Sequence, residues 1–521
     1  MSDTGIIIVK VDIVWFKRDF RLEDHAPINA VATSNNNFLG VFVIEPSRLR
    51  EKDTDPIHID WEMQCAVELQ SRIRDLGGEM LILHDEIIDV FVKLRKEYQI
   101  SNIYSHEEIG TEWSYSRDIQ FGEWCKSREL NWKEFPTNAV VRRLNNRDNW
   151  YKLRTERLME DVIPAPNQLK FENELRIDSI SSSKEIGIIP RELRDKYKPG
   201  EIEAKKNLDS FLNKRGMNYR YEMSSPITGE NSCSRLSHYI STGCITIRQI
   251  IKITNERVAY LKTLEKSDSR KKWIASINSF KSRLAWHCHF IQKLELQPTL
   301  GSRAMNHELD KRLKRELDPD KFEMWTEGKT GWPFFDACMR QLRATGWINF
   351  RMRAMLMSVA SYTLWLPWKE SGNYLARQFI DYEPGIHWSQ VSMQSGTTGI
   401  NTVRAYSILK QSTDHDPDGI YIRKWVPELS MVPTHYIHEP WKMSKSMQRQ
   451  INCIIGKNYP RPIVDEKEAR LEGVRNSYKA RGNPEVRKVS QEVNKKHGSR
   501  KKSRRKRKID QKQTKFRNIV K

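Results

Sequence analysis

The chain has 521 residues, with 89 Lys plus Arg against 67 Asp plus Glu, a net charge of +22 and seven cysteines. That length supports two or three domains with sizeable cores, and the basic balance suggests a polyanionic partner, most simply nucleic acid. No run of eighteen apolar residues occurs, so no membrane-spanning helix is expected. The cysteines are scattered and never form a CxxC pair, which argues against a metal or iron–sulfur centre and for a reducing compartment. The opening stretch MSDTGIIIVKVDIVWF lacks a basic n-region and a small-residue cleavage site, and reads as a first strand.

Residues 11–136 alternate strand and helix signals. Short β-rich runs fall at 11–16, 38–44, 79–84 and 100–105. Between them lies an amphipathic stretch over 59–76, with Met63, Ala66 and Ile73 at helical spacing and Gly77-Gly78 ending it. This alternation predicts a parallel α/β sheet domain over 11–140. Neither GxGxxG nor GxxxxGK[ST] occurs, so a dinucleotide or P-loop role for this half is unsupported. Residues 141–205, with Pro164, Pro166, Pro190 and Pro199, read as a connecting segment.

Residues 206–460 read as a helical domain. Phe335, Cys338, Met339 and Leu342 fall on one helical face, as do Met352, Met355, Leu356 and Val359. Seven of the sixteen tryptophans lie between Trp325 and Trp425. Such a run suits electron transfer to a buried cofactor or stacking of bases; for any single one, Trp347 above all, core packing is the plain alternative. Residues 461–521 turn polar and then basic, and are expected to be a disordered tail. From Lys495 onward there are fourteen Lys or Arg and one acid, Asp510, which suits a nonspecific phosphate binder. The tail also resembles a nuclear-localisation tract, so the expected address is the cytoplasm or nucleoid, with the nucleus as the eukaryotic alternative.

Four motifs then occur in order: WFKRDFRLEDH from Trp15, SRLSHYISTGCITIRQ from Ser234, EGKTGWPFFDACMRQLRATGW from Glu327, and DPDGIYIRKWVPEL from Asp416. Together they span roughly residues 11–441 and resemble the cryptochrome/photolyase family. The resemblance implies an α/β antenna domain, then a larger all-α domain holding FAD in a folded shape, then the basic tail. From the residues alone, Ser234, Arg235 and Ser237 offer donors and a possible anion nest, but an ordinary N-cap before a helix over 245–258 explains them as well. The resemblance implies that Tyr219, Cys233, Ser234, Arg235, Leu236, Ser237, Asp381, Tyr382 and Glu383 bind FAD. Cys233 stands where the family usually has Thr.

The resemblance further implies that Arg353 and Asp381 flank the flavin ring, although the same pair would serve equally as an ion pair between helices. Ile386, His387 and Gln390 are alternatives for the residue facing its redox-active nitrogen. Trp368 and Trp388 match inner members of the family's tryptophan electron chain. Arg315 stands near the place of the outer one, with Trp325 or Trp365 as substitutes. In the substrate region Trp286 is present, but Arg283 replaces the Glu of cyclobutane-dimer photolyases. Phe350 stands where Asn is expected, with Asn349 one step earlier, and Phe350 and Ala354 occupy the places of the (6-4) His pair. Arg283, Trp286, His287, Phe350, Arg351 and Gln411 are expected to meet DNA, with His289 beside His287 in an aromatic wall.

HEEIGTEWSYSRD from His106 resembles the antenna-proximal segment, where a folate, a deazaflavin or a second flavin would each suit a crevice at strand ends. No metal is expected. The activity implied is that of a monomeric FAD-dependent DNA photolyase acting on UV-damaged DNA, with cyclobutane dimers favoured over (6-4) products. The alternative is a cryptochrome-type light sensor without repair.

Overall fold

The computed structural model describes residues 9–498, apart from 35, 138 and 173. Five parallel strands form one sheet: β1 (Val9–Phe16), β2 (Asn37–Ile44), β3 (Glu79–His84), β4 (Tyr98–His106) and β5 (Asn131–Phe135), in the order β3-β2-β1-β4-β5. β1 is central and buried at every position but Lys10, as its nearly continuous apolar run requires of a parallel strand covered on both faces. Val11, Ile13 and Trp15 meet the helices Ile87–Glu97 and Glu112–Ser127. Val14 and Phe16 face the opposite layer, which continues into the helical domain through Leu284 and Ile247. The chain order reverses at β1, so the C-terminal ends of β1 and β4 border the crevice where such sheets bind ligands.

The helix expected over 59–76 begins earlier, at Pro56, because Asp55 caps it and shares a capping box with His58. Gly77 follows with φ +87°, and a Cβ there would meet Leu169 O at 2.9 Å. That contact belongs to the connecting segment, which tracks the sheet through Leu169 N to Leu76 O (2.7 Å), Phe38 N to Lys170 O (2.6 Å) and Ile180 N to Ile82 O (2.9 Å). Buried Glu201 fastens the two halves: it accepts from Leu22 N at 3.0 Å and pairs with Arg72 and Lys205.

The second half is helical. Its longest helix, Asp268–Leu296, spans 29 residues, about 43 Å. Pro384–Gln394 crosses it closely: a Cβ on Gly385 would stand 2.6 Å from Ile291 Cα. The core packs Phe335, Cys338, Met339 and Leu342 with Met352, Met355, Leu356 and Val359, as the helical spacing predicted, and Trp325 joins them.

One expectation is corrected. Residues 461–521 are not a disordered tail throughout, because Glu466–Arg481 and Pro484–His497 are helices folded back on the domain. The first docks by close approach, with Gly473 against Tyr362 O, where a Cβ would clash at 2.0 Å. The second buries Val486, Val493 and His497. A contact made by a glycine and a few isolated valines leaves no apolar stripe to read. The basic run beyond residue 498 lies outside the described residues.

Candidate functional site

A cavity of about 570 Å³ opens in the helical domain. Most of its lining comes from Ser237–Ser241 and the turn before it, the middle of Asp268–Leu296, the start of Phe350–Ser358, and the stretch from Phe379 through Pro384–Gln394, with Tyr219 and Leu375 added from two further helices. Burial gives its depth. Asp381 and His387 are buried at the floor, whereas Trp286 is 43 % and Phe350 46 % exposed at the mouth.

The floor is organised by Arg353 and Asp381, two parallel hydrogen bonds of 2.9 and 2.8 Å joining guanidinium to carboxylate. Arg353 Nε also donates to Ile348 O at 2.7 Å, and its guanidinium lies 4.3 Å over Phe379. Burial acts to raise the Asp381 carboxyl, but Arg353 and Ser237 outweigh it and hold the group below the ordinary carboxylate range. Burial also keeps two cavity imidazoles neutral. His387 is lowered to about 3 and donates to Gly372 O at 2.9 Å; His287 is lowered to about 4, with Arg154 and Arg18 adding to the effect.

On the facing wall Cys233, Ser234 and Ser237 line the cavity, and burial raises the Cys233 thiol to about 11. Arg235 takes a left-handed φ of +55°, the geometry that turns successive amides to one side. The carbonyls of Cys233 and Ser234 are held from behind by Arg215. The Arg235 side chain does not line the cavity: it pairs with Asp195 at 3.0 Å and lies 4.1 Å from the Trp347 ring. Leu236 is likewise in the core. Tyr219, also buried, lines the wall.

Tyr382 and Glu383 tie the floor to the first domain. Tyr382 donates to Asp53, and Glu383 pairs with Arg18 at 2.5 Å. Trp388 lies one layer behind the cavity, donating to Tyr382 Oη at 3.0 Å with its ring 4.9 Å from that of His387. Gly301 and Gly372 flank its indole, where added Cβ atoms would stand at 3.0 and 2.7 Å. Trp368, first residue of its helix after Pro367, meets Trp388 edge to face at 6.1 Å. Of the candidates for an outer indole, Trp325 is fully buried against Phe322 and Tyr374 and donates to Leu356 O. Trp365 carries the Arg315 guanidinium 4.7 Å over its ring.

At the mouth Arg283 lies 4.3 Å over the Trp286 ring, and Phe350 stands 6.4 Å from Trp286. Asn349 faces the cavity while its amide donates to Met223 O and Ser224 O. Two expectations differ. Gln411 is buried in Ile408–His415 and does not line the cavity, and His289 turns away to Arg147 and Trp150. Trp347 is buried, as its reading as core packing expected, and also borders the cavity. Arg404 and Tyr406 also line it but come from a stretch without regular structure, where sequence periodicity gives no signal.

The residues present suit a large, flat, anionic cofactor. Apolar walls from Ile240, Phe290, Met357 and Leu375 surround a cation–carboxylate floor, and His287 Nδ1, Asn349 Oδ1 and Arg351 Nε are buried without a protein partner. Beside the sheet, by contrast, the crevices along Arg18, His58 and Glu108 measure only about 40 and 50 Å³. Their lining is already paired, Arg18 with Glu383, Arg48 with Glu62 and Glu108 with Arg117, so a second chromophore there requires these side chains to move.

Two family models match the chain: DNA photolyase over residues 12–152 and the FAD binding domain of DNA photolyase over residues 280–479. A deoxyribodipyrimidine photo-lyase of Alkalihalophilus pseudofirmus is 29 % identical, over 88 % of this chain and 95 % of its own. A cryptochrome DASH of Gloeobacter violaceus is 24 % identical, over 88 % and 93 %. The solved class III photolyase of Agrobacterium tumefaciens superposes with a TM-score of 0.78 at 21 % identity, covering 93 % of this chain and all of the other, which shows the shared fold. The paired domains, the cavity with its Arg353–Asp381 floor and both family models agree: the chain belongs to the cryptochrome/photolyase family and carries its FAD-binding domain.

Proposed function

We propose that the chain is a light-driven DNA photolyase that splits cyclobutane pyrimidine dimers in UV-damaged DNA. The observation that carries this reading is the form of the cavity: a charged floor below an exposed aromatic and cationic mouth, Trp286 and Phe350 beside Arg283 and Arg351. Bound FAD supplies light absorption and one-electron transfer there. Cys233, Ser234, Ser237 and Tyr219 would hold it, with Asp381 at the floor. The Arg353 guanidinium offsets negative charge at that depth, and the Asp381 carboxylate fixes its plane.

At the mouth, the Trp286 and Phe350 faces suit bases turned out of a duplex, and Arg283, Arg351 and Arg404 suit their phosphates and carbonyl oxygens. A dimer held there would be placed to take one electron and give it back once its two inter-base bonds had broken, so that no net oxidant or reductant would be consumed. Neutral His287 adds no competing charge. Trp368 and Trp388 form the inward path for electrons.

A second reading, a light sensor without repair, draws on Arg283 and Phe350, which stand where dimer-splitting relatives are expected to have Glu and Asn. The test is illumination of the flavin-reduced protein with defined oligonucleotides carrying either lesion. Restored thymines from the cyclobutane dimer support the proposal, and restoration of the (6-4) product alone reassigns the substrate. Repair of neither, with flavin bound and photoreducible, favours the sensor.

A further inference from the structure

The outer end of the tryptophan pair carries a carboxylate placed for proton transfer. Trp368 donates its indole Nε1–H to Asp310 Oδ1 at 2.9 Å, and Asp310 sits on the short helix His307–Leu313. Among the described residues the Trp368 ring meets that of Trp388 and no further indole, and the Arg315 guanidinium lies 4.7 Å over Trp365 and 5.7 Å from the Tyr362 ring. A cation against an aromatic face opposes removal of an electron from it. Oxidation stopped at Trp368 therefore leaves a positive indole with its acidic N–H already bonded to a carboxylate. A neutral indole is far too weak an acid to lose that proton, and the oxidised ring is not.

We propose that Asp310 takes the indole proton when Trp368 is oxidised, so that the electron path ends by proton transfer at the second tryptophan rather than by transfer to a third. This rests on reading Trp388 and Trp368 as the electron path. One electron passes from Trp368 to oxidised Trp388. The Nε1–H bond of Trp368 breaks, its proton forms an O–H bond on Asp310, and a neutral indole radical remains. Return of an electron and of the same proton restores both groups. The transfer runs along a hydrogen bond that already exists, so no side chain has to move first. The charged groups around Asp310 are Arg315, Lys369 and Glu370. Burial favours the protonated carboxyl, and the Trp368 bond and Arg315 act against it. The consequence is a long-lived charge separation, because recombination must also return the proton.

The test compares wild type with Asp310→Asn, both FAD-loaded, by flash photolysis, and with indole ¹⁵N NMR as an independent readout. Asn keeps an oxygen acceptor for the indole N–H but cannot take its proton. The expected result is a retained hydrogen-bonded Trp368 N–H signal, with the deprotonated tryptophan radical forming roughly 10²-fold more slowly while the radical cation persists. Deprotonation at the wild-type rate in Asp310→Asn overturns the inference. If wild type shows no light-induced tryptophan oxidation, the electron-path reading fails and takes this inference with it. The two failures are told apart in wild type itself, where a tryptophan radical forms in the first case and none forms in the second.

Discussion

At the scale of single residues, the floor of the cavity is decided by one ion pair. The Asp381 side chain is 2 % exposed and that of Arg353 23 %, so removing the carboxylate charge leaves a guanidinium without its partner in a low-dielectric site. Asp381→Asn is expected to lower stability by about 3–5 kcal/mol and to reduce flavin retention, checked by thermal unfolding and by flavin absorbance after desalting. The buried imidazoles set the acid limit. His387 is lowered from 6.5 to about 3 because burial penalises its charged form, whereas the unfolded chain takes up that proton near 6.5. Its contribution is therefore complete above pH 6.5 and is lost as the pH falls toward about 3. Melting temperature should decline with acidification over that window, and less steeply in His387→Gln. An equal slope in the variant would place the acid sensitivity elsewhere. Both imidazoles were visible in the sequence as candidates, but their neutrality follows from neighbours that only folding supplies.

At the scale of elements, glycines govern where helices can touch. Gly301 and Gly372 leave the slot that Trp388 fills, and Gly385 brings its helix onto Ile291. Gly372→Ala would push a methyl into the indole at 2.7 Å and is expected to cost about 1–3 kcal/mol. Trp388 must turn or shift to accept it, so photoreduction of bound flavin should slow as well. Trp388→Phe should slow photoreduction far more; an unaffected rate would move the electron route off the Trp368 contact. The helical spacing around Phe335 and Met352 was readable because an apolar face repeats at 3.6 residues. The last two helices were not readable, since Gly473 and Val486 dock through contacts that carry no periodic signal.

At the scale of the whole molecule, a basic body presents a cavity whose mouth is cationic and aromatic, and a strongly basic run follows the last helix. Deleting residues 499–521 removes twelve Lys or Arg without touching the described fold. Duplex binding should weaken and its dependence on salt should flatten, measured by titration at several ionic strengths, while the flavin spectrum stays unchanged. Binding insensitive to the deletion would assign the run to another partner.

The sequence by itself determined the parallel sheet, the helical second half and the family, because strand alternation, helical period and ordered motifs are local patterns along the chain. It also picked out Arg353, Asp381, Trp368, Trp388 and Trp286. Tertiary structure alone decided which of the named residues meet. It turned Arg235, His289 and Gln411 away from the cavity, brought in Trp347, Arg404 and Tyr406, and set Asp310 against Trp368 across a separation of 58 residues. Those outcomes depend on side-chain direction and on close approach between distant elements, and neither leaves a trace in local pattern.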